Sequence, residues 1–196
     1  MKILGISGSP RKNGNTDIIL NQILSVFDTS QIDIDLIYLR DYSITPCIGC
    51  ERCRNDLTCT QFYDGMTLIY PTIEAADCLV LGSPVYNYNI TSQMKSFIDR
   101  LYPYYIFSHD RPRKYTSRLS DKERKVIIFS ICEQTDPEEE GFAIEAMARP
   151  FEALGYDTIA KIPVNGFFDK GAVADDTELM RKIQRVGMQC KALLEI

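Results

Sequence analysis

Histidine is almost missing from this chain: His109 is the single one among 196 residues, and no G-x-S-x-G sequence is present. A Ser-His-Asp hydrolase would depend wholly on that residue, so a hydrolase is disfavoured. Long apolar runs are missing too, since no stretch approaches the roughly 20 apolar residues that span a bilayer. The 22 Lys and Arg residues are outnumbered by 27 Asp and Glu residues, and the net charge of −5 argues against a general nucleic-acid-binding protein.

The length and composition favour one soluble domain. A chain of 196 residues, 45% of them hydrophobic, is long enough for one core and short for two domains, so we expect a single domain over residues 1–196. The N-terminus runs into a strand-like segment without the basic and apolar regions of a signal peptide, which predicts a cytoplasmic protein. Its seven cysteines should be mostly reduced there, so a cluster of them indicates metal or redox chemistry before structural disulfides.

Strand-like and helix-like segments alternate along the chain. Strand patterns occur at residues 2–7, 32–39, 77–83, 125–131 and 158–164. Helical patterns lie between and after them, at residues 17–27, 66–76, 92–101, 141–154 and 177–194. This alternation predicts an α/β fold with a five-stranded parallel sheet and helices on both faces. Because such sheets bind ligands beyond the carboxyl ends of their strands, we expect the loops after strands one, three and four to converge.

The loop after the first strand has the composition of a phosphate-binding loop. It reads G-S-P-R-K-N-G-N-T from Gly8 to Thr16, and a helix follows, so unpaired N–H groups and the helix dipole favour an anion. The loop lacks the G-x-G-x-x-G fingerprint, and five residues separate Gly8 from Gly14, which excludes a Walker loop. It therefore predicts a site for a terminal phosphate monoester. An ordinary turn with Asn15 or Thr16 as helix cap is the alternative, although such a turn needs fewer residues.

A second loop of small and aromatic residues follows the third strand. It reads G-S-P-V-Y-N-Y-N from Gly82 to Asn89, where Pro84 restricts the backbone and Tyr86 or Tyr88 can lie against a flat ring. Taken alone, these tyrosines could equally cover the edge of the sheet. A phosphate cradle and an aromatic loop on neighbouring strands together indicate a flavin mononucleotide (FMN) site.

These two loops resemble those of the NADPH-dependent FMN reductase family, which has a flavodoxin-like fold. The helix S-Q-M-K-S-F-I-D-R-L at Ser92 to Leu101 and E-A-A-D at Glu74 to Asp77 also resemble the family. The resemblance implies a three-layer sandwich with the strand order 2-1-3-4-5. It further implies that the FMN phosphate is bound by Ser9, Arg11, Asn13, Asn15 and Thr16. The loop that would contact the isoalloxazine ring contains Ser83, Pro84, Val85, Tyr86 and Asn87.

Four cysteines form a compact cluster, C-x2-C-x2-C-x5-C, at Cys47, Cys50, Cys53 and Cys59. Four thiolates at this spacing are typical of iron–sulfur ligation, and they also satisfy a tetrahedral zinc ion. The segment resembles that of iron–sulfur flavoproteins, a branch of the same family with a [4Fe-4S] cluster. A similar loop occurs in flavin reductases of the family without a known cluster. An iron–sulfur cluster, zinc and free thiols therefore all stay open for residues 47–59.

The resemblance implies an FMN-dependent oxidoreductase that takes hydride from NAD(P)H and reduces a quinone, a flavin or another small acceptor. The alternative is an iron–sulfur flavoprotein that carries electrons between a donor protein and an acceptor. No catalytic side chain is expected, because the flavin performs the redox chemistry. Family members are commonly dimers or tetramers, so a homodimer or homotetramer is expected. The long stretch 102–124, aromatic and then basic, is expected to be irregular and to serve function or assembly.

Overall fold

The computed structural model describes residues 1–27 and 30–194, and within them it contains seven β-strands and six α-helices. The strands are β1 (Lys2–Ser7), β2 (Asp33–Tyr38), β3 (Cys78–Pro84), β4 (Tyr105–Phe107), β5 (Tyr115–Ser117), β6 (Arg124–Cys132) and β7 (Tyr156–Asn165). The helices are α1 (Asn15–Ser25), α2 (Cys53–Asp56), α3 (Gly65–Ala75), α4 (Ser92–Asp99), α5 (Ala143–Ala153) and α6 (Thr177–Leu193). None of these helices is long and apolar enough to cross a bilayer.

Five strands form one parallel sheet in the order β2-β1-β3-β6-β7. Counted within this sheet, the order is the predicted 2-1-3-4-5, and the numbers differ because two further strands precede β6. The central strand β3 is buried along its whole length except at its last residue. Helices cover both faces of the sheet, so this strand reads in the sequence as a continuous apolar run.

The stretch 102–124 was predicted to be irregular, but it contains two short strands and two 3₁₀ turns. β4 and β5 pair antiparallel in a hairpin outside the main sheet, with a 3₁₀ turn at Tyr102–Tyr104 before it and another at Arg118–Asp121 after it. Strands of three residues are too short to show an alternating pattern, which explains the wrong prediction. Around this aromatic hairpin, defined here as residues 102–117, four rings pack on one another: Tyr102, Tyr105, Phe107 and Tyr115.

Two hydrophobic cores lie on opposite faces of the sheet, because alternate side chains of each strand point to opposite sides. One core packs α3, α4 and α5 against residues such as Leu4 and Leu79. The other packs α1 and α6 against the neighbouring residues Ile3 and Val80. Helices α1 and α4 therefore both begin at the carboxyl edge of the sheet, but they lie on opposite faces of it.

Glycines allow a close approach of backbones at this edge. The Gly8 N–H donates to the Gly82 carbonyl at 2.7 Å, which joins the loop after β1 to β3. A Cβ on Gly82 would overlap the ring of Phe129 in the next strand. A Cβ on Gly8 would lie 3.0 Å from the side chain of Met94 in α4. The first loop is thus fitted tightly between the sheet and α4.

Candidate functional site

The loops after β1, β3, β6 and β7 enclose one cavity of about 380 Å³ at the carboxyl edge of the sheet. Its lining residues are Ser9, Arg11, Gly14, Asn15, Thr16, Pro84, Val85, Tyr86, Asn87, Ile131, Glu133, Phe167, Phe168 and Lys170. Eight of the ten residues predicted to bind FMN are among them, the exceptions being Asn13 and Ser83. The structure therefore brings together the three loops expected to converge, and adds a fourth loop that sequence reasoning missed.

The loop between β1 and α1 presents the amino end of α1 to this cavity. Gly14 is the N-cap and Asn15 begins the helix, so the N–H groups of the first turn have no acceptor within the helix. Their partial positive charge, added to the helix dipole, favours an anion at this position. Ser9 and Thr16 are buried in the wall, and the Ser9 hydroxyl accepts the Arg11 N–H at 3.2 Å.

A buried ion pair beneath the loop fixes its shape. Asp17, in the first turn of α1, is 3% exposed, and its Oδ2 lies 2.9 Å from Nη2 of Arg40, just after β2. The same carboxylate accepts the Ser7 hydroxyl at 2.7 Å and the Asn13 N–H at 2.8 Å. Arg40 also donates to the Ser9 carbonyl at 3.2 Å. Sequence reasoning missed this pair, because its members lie 23 residues apart on different elements.

Two predicted phosphate ligands extend their side chains to the segment after β7. Arg11 Nη1 donates to the Phe168 carbonyl at 3.0 Å, and its guanidinium carbon lies 4.8 Å from the centre of the Phe168 ring. Asn15 Nδ2 donates to the Asp169 carbonyl at 3.0 Å. Its Oδ1 accepts the Val173 N–H at 3.4 Å. The Asn15 side chain is thus engaged in anchoring that segment.

The loop after β3 ends in a strained turn. Tyr86 and Asn89 exchange backbone hydrogen bonds of 2.7 and 3.1 Å, and φ is +48° at Asn87 and +62° at Tyr88 between them. Asn tolerates this left-handed conformation, whereas a Tyr there is unusual. The Phe142 N–H, which donates to the Tyr88 carbonyl at 2.8 Å, supports the turn from the start of α5. The turn places Tyr86 in the cavity wall, with its side chain partly exposed.

Ser83 supports both loops from inside the protein. It is fully buried, and its hydroxyl accepts the Thr91 N–H at 3.2 Å and donates to the Pro84 carbonyl at 3.0 Å. Thr91 caps α4 and donates its own hydroxyl proton to the Gly8 carbonyl at 2.7 Å. Ser83 therefore positions the loops and does not line the cavity.

The four cysteines line a second cavity, of about 330 Å³. Cys47 and Cys50 are exposed, Cys53 and Cys59 are half-buried, and Cys53 begins the short helix α2, which was not predicted. Burial, and to a smaller extent the neighbouring cysteines Cys59, Cys47 and Cys50, raise the pKa of Cys53 to about 11. A metal centre would have to displace the proton of that thiol, since the thiolate is the ligand.

A buried arginine lies against the cysteine cavity. Arg100 is 2% exposed, and its Nη1 donates to Asp64 Oδ2 and to the Thr45 carbonyl, both at 2.7 Å. Its Nη2 donates to Cys59 Sγ at 3.5 Å, and its guanidinium lies over the ring of Phe62. Among the described groups, its Nε has no hydrogen-bond partner. A buried cation beside these sulfurs fits the anionic ligands of a metal cluster.

The cysteines share a cavity without forming a closed coordination shell. In residues 1–27 and 30–194, no group of three or more His, Cys, Asp or Glu side chains is arranged to hold a metal ion. By its chemistry the donor set fits an iron–sulfur cluster as well as a four-Cys zinc ion.

Helix α4 lies between the two cavities. Thr91 at its amino end contacts Gly8 of the first loop, and Arg100 at its carboxyl end contacts Cys59. The eight residues of the helix span about 12 Å. The cavities share no lining residue. The cavity of about 380 Å³ is called the larger cavity below. Within one chain, the four cysteines and the loops of the larger cavity are thus separated by roughly the length of α4.

The architecture is that of flavodoxin-like proteins. An FMN-dependent NADH-azoreductase from Bacillus anthracis superposes with a TM-score of 0.66 at 15% identity, covering 97% of this chain and 99% of that one. A protein from Streptococcus mutans UA159 superposes with a TM-score of 0.72 at 15% identity, covering 95% and 98%. At these identities the likeness establishes the fold, and the predicted flavodoxin-like class is confirmed.

The chain belongs to the NADPH-dependent FMN reductase family, whose model matches residues 1–116. An iron-sulfur flavoprotein from Archaeoglobus fulgidus is 39% identical over 104 residues, which are 53% of this chain and 47% of that protein. An iron-sulfur flavoprotein from Methanocaldococcus jannaschii is 38% identical over 103 residues, 53% of each. The chain spans about half the length of the curated relatives it matches. The family resemblance of the two loops is therefore confirmed.

Removing the charge of Asp17 should destabilise the protein strongly. In Asp17→Asn, the Arg40 side chain, which is only 12% exposed, loses its charged partner, and we expect a loss of about 3 kcal/mol in the free energy of unfolding. Asp35→Asn is the matched control, because Asp35 pairs with Lys2 at 2.7 Å on the surface. That variant should lose less than about 1 kcal/mol. Urea unfolding of both at pH 7 measures the difference, and equal losses would contradict the role given to Asp17.

Proposed function

We propose that this protein is an FMN-dependent oxidoreductase that takes hydride from NAD(P)H and reduces a quinone, a flavin or another small acceptor. One observation carries the proposal: the phosphate-type loop after β1 and the aromatic loop after β3 line the same cavity. Membership of the FMN reductase family supports FMN as the ligand. When bound, FMN supplies hydride and single-electron chemistry, so the protein's part is to bind and orient it.

In this proposal the cavity binds FMN in two parts. The N–H groups of the first turn of α1, the hydroxyls of Ser9 and Thr16 and the guanidinium of Arg11 bind the phosphate. The loop after β3 provides a surface for the isoalloxazine ring, formed by Pro84, Val85, Tyr86 and Asn87. In this arrangement the apolar ring would contact the apolar and aromatic residues of the loop after β3, and the charged phosphate would contact hydrogen-bond donors and a cation.

Loss of the phosphate ligands should discriminate between FMN and riboflavin. In Arg11→Ala/Thr16→Ala we expect the Kd for FMN to rise about 10- to 100-fold, because charge-assisted hydrogen bonds to the phosphate are lost. The Kd for riboflavin, which has no phosphate, should change little. Fluorescence titration measures both. Lys12→Ala is the matched control, since Lys12 is an exposed cation on the same loop that does not line the cavity. Equal weakening for both ligands would reject the phosphate assignment.

A second candidate function is that of an electron carrier with an iron–sulfur cluster. It is favoured by the four cysteines around one cavity, by the buried Arg100 beside Cys59, and by relatives named iron-sulfur flavoproteins. Cys47, Cys50, Cys53 and Cys59 would hold the cluster, which supplies single-electron transfer. In this role the partner is a redox protein, with FMN linking one-electron and two-electron steps.

The cysteine assignment is tested by metal content. Cys50→Ser, prepared without oxygen, should lose iron and acid-labile sulfide and keep FMN, because α4 separates the two cavities. Cys190→Ser is the control, since Cys190 is buried in α6 away from the cluster and its loss should leave iron unchanged. Wild-type protein with FMN and no iron would reject the cluster. Zinc in place of iron would make the site structural and reject the carrier function.

We also propose that neighbouring copies of this chain cover the aromatic hairpin. Ile106 and Tyr115 are 47% and 53% exposed there, and apolar surface of this kind is commonly buried at interfaces. The hairpin rings also line a shallow groove with Pro150 of α5. This assembly would be a homodimer or homotetramer.

Light scattering at micromolar concentration should find a homo-oligomer. The substitution Ile106→Asp should shift the equilibrium towards monomer, because it places a charge in the proposed contact. Leu68→Asp is the control, because Leu68 is 71% exposed on α3 and lies outside the hairpin. A monomeric wild-type protein with FMN bound would overturn the proposed assembly.

A further inference from the structure

The segment after β7 forms a wall of the larger cavity. Residues 166–171, named here the β7 segment, begin and end at glycines with φ near the left-handed region, +90° at Gly166 and +87° at Gly171. Between these two turns, Phe167, Phe168 and Lys170 line the cavity. The segment lies beyond residues 1–116, which match the family, so the family motifs do not account for it.

This segment is fixed to the phosphate-type loop at Phe168 and Asp169, and a third contact follows just beyond it. Arg11 binds the Phe168 carbonyl and stacks on its ring, and Asn15 binds the Asp169 carbonyl. The Val173 N–H, just beyond the segment, donates to the same Asn15 side chain. Lys170 directly follows Asp169, whose carbonyl is bound by Asn15 at the start of α1, and it lines the same cavity.

The positive charge of Arg11 is too small to balance a phosphate monoester bound in the larger cavity. Three charged side chains line it: Arg11, Lys170 and Glu133. A phosphate monoester carries about −1.5 to −2 charges at pH 7. Arg40, beneath the loop, already pairs with Asp17 and adds no net charge. Arg11 alone therefore leaves much of the phosphate charge unbalanced, and Lys170 is the other cation within the cavity.

We propose that Lys170 is a second cationic ligand of the cofactor phosphate and that the β7 segment closes the phosphate end of the cavity. The proposal rests on the proposed FMN function and deepens it. Arg11 keeps donors free after its bond to Phe168, because a guanidinium has five N–H groups. Arg11 on the loop after β1 and Lys170 on the β7 segment can therefore bind the same phosphate from two sides of the cavity. Lys170 is exposed, as Lys12 is, but only Lys170 of these two lysines lines the cavity.

The test compares FMN with riboflavin in Lys170→Ala, Lys170→Arg and the control Lys12→Ala. Fluorescence titration at two salt concentrations gives each Kd. We expect Lys170→Ala to raise the Kd for FMN by about 3- to 30-fold and to lower its salt dependence, with riboflavin unchanged within about twofold. Lys170→Arg should retain most of the affinity, and Lys12→Ala all of it. Thermal unfolding by circular dichroism verifies that every variant is folded.

Four results would overturn the proposal. An unchanged FMN affinity in Lys170→Ala would reject Lys170 as a phosphate ligand, and so would equal losses of affinity for FMN and riboflavin. In both cases FMN binding by the wild type would still support the proposed function. An unchanged FMN Kd with a raised KM for NADPH but not NADH would assign Lys170 to the phosphate of the electron donor. A wild-type protein that binds neither flavin would reject the proposed function, and the assignment of Lys170 with it.

Discussion

The Asp17 carboxylate is the interaction on which the larger cavity depends. It accepts hydrogen bonds from Ser7 at the end of β1, from Asn13 in the loop and from Arg40 after β2, all while 3% exposed. A carboxylate in the first turn of a helix stabilises the helix dipole, but it would also repel an anion bound there. Arg40 resolves this conflict, because it neutralises Asp17 without occupying the cavity. The loop can thus be both rigid and receptive to an anion.

Much of the fold can be predicted from the sequence because the central strands are covered on both faces. The four-residue runs Cys78–Leu81 and Val126–Phe129 are apolar at every position, as expected for strands that are buried on both faces. Each motif loop has an ordinary structural explanation when it is taken alone, and the two loops became predictive only because they follow neighbouring strands of one sheet. The hairpin of β4 and β5 could not be predicted, because its strands are three residues long and its rings resemble a loop rich in aromatic residues.

The details of the cavity could be predicted less well, for a reason that applies to most sites. Asn15 stands in a motif that suggests phosphate binding, yet its side chain binds residues more than 150 positions away. Ser83 stands in the ring-binding loop, yet it is buried and acts on Thr91 and Pro84. A motif identifies the loop that forms a site, whereas the direction of each side chain depends on neighbours distant in sequence. Lys170 belongs to no motif, so its position in the wall of the larger cavity could not be predicted from the sequence.

The cysteine cavity is built differently from the rest of the molecule. Residues 47–61 contribute no member to either hydrophobic core, and arginine side chains hold the segment in place. Arg100 donates to Cys59, Arg118 donates to the Leu57 carbonyl, and Arg54 donates to the Tyr102 hydroxyl of the aromatic hairpin. Arg100 is independently held by Asp64 and Thr45, so its position does not require the thiols. The four-cysteine segment is therefore attached to the flavodoxin-like scaffold by polar side-chain contacts and not through the hydrophobic cores. A change in the number or spacing of these cysteines would therefore alter one loop while the residues of both hydrophobic cores stayed the same.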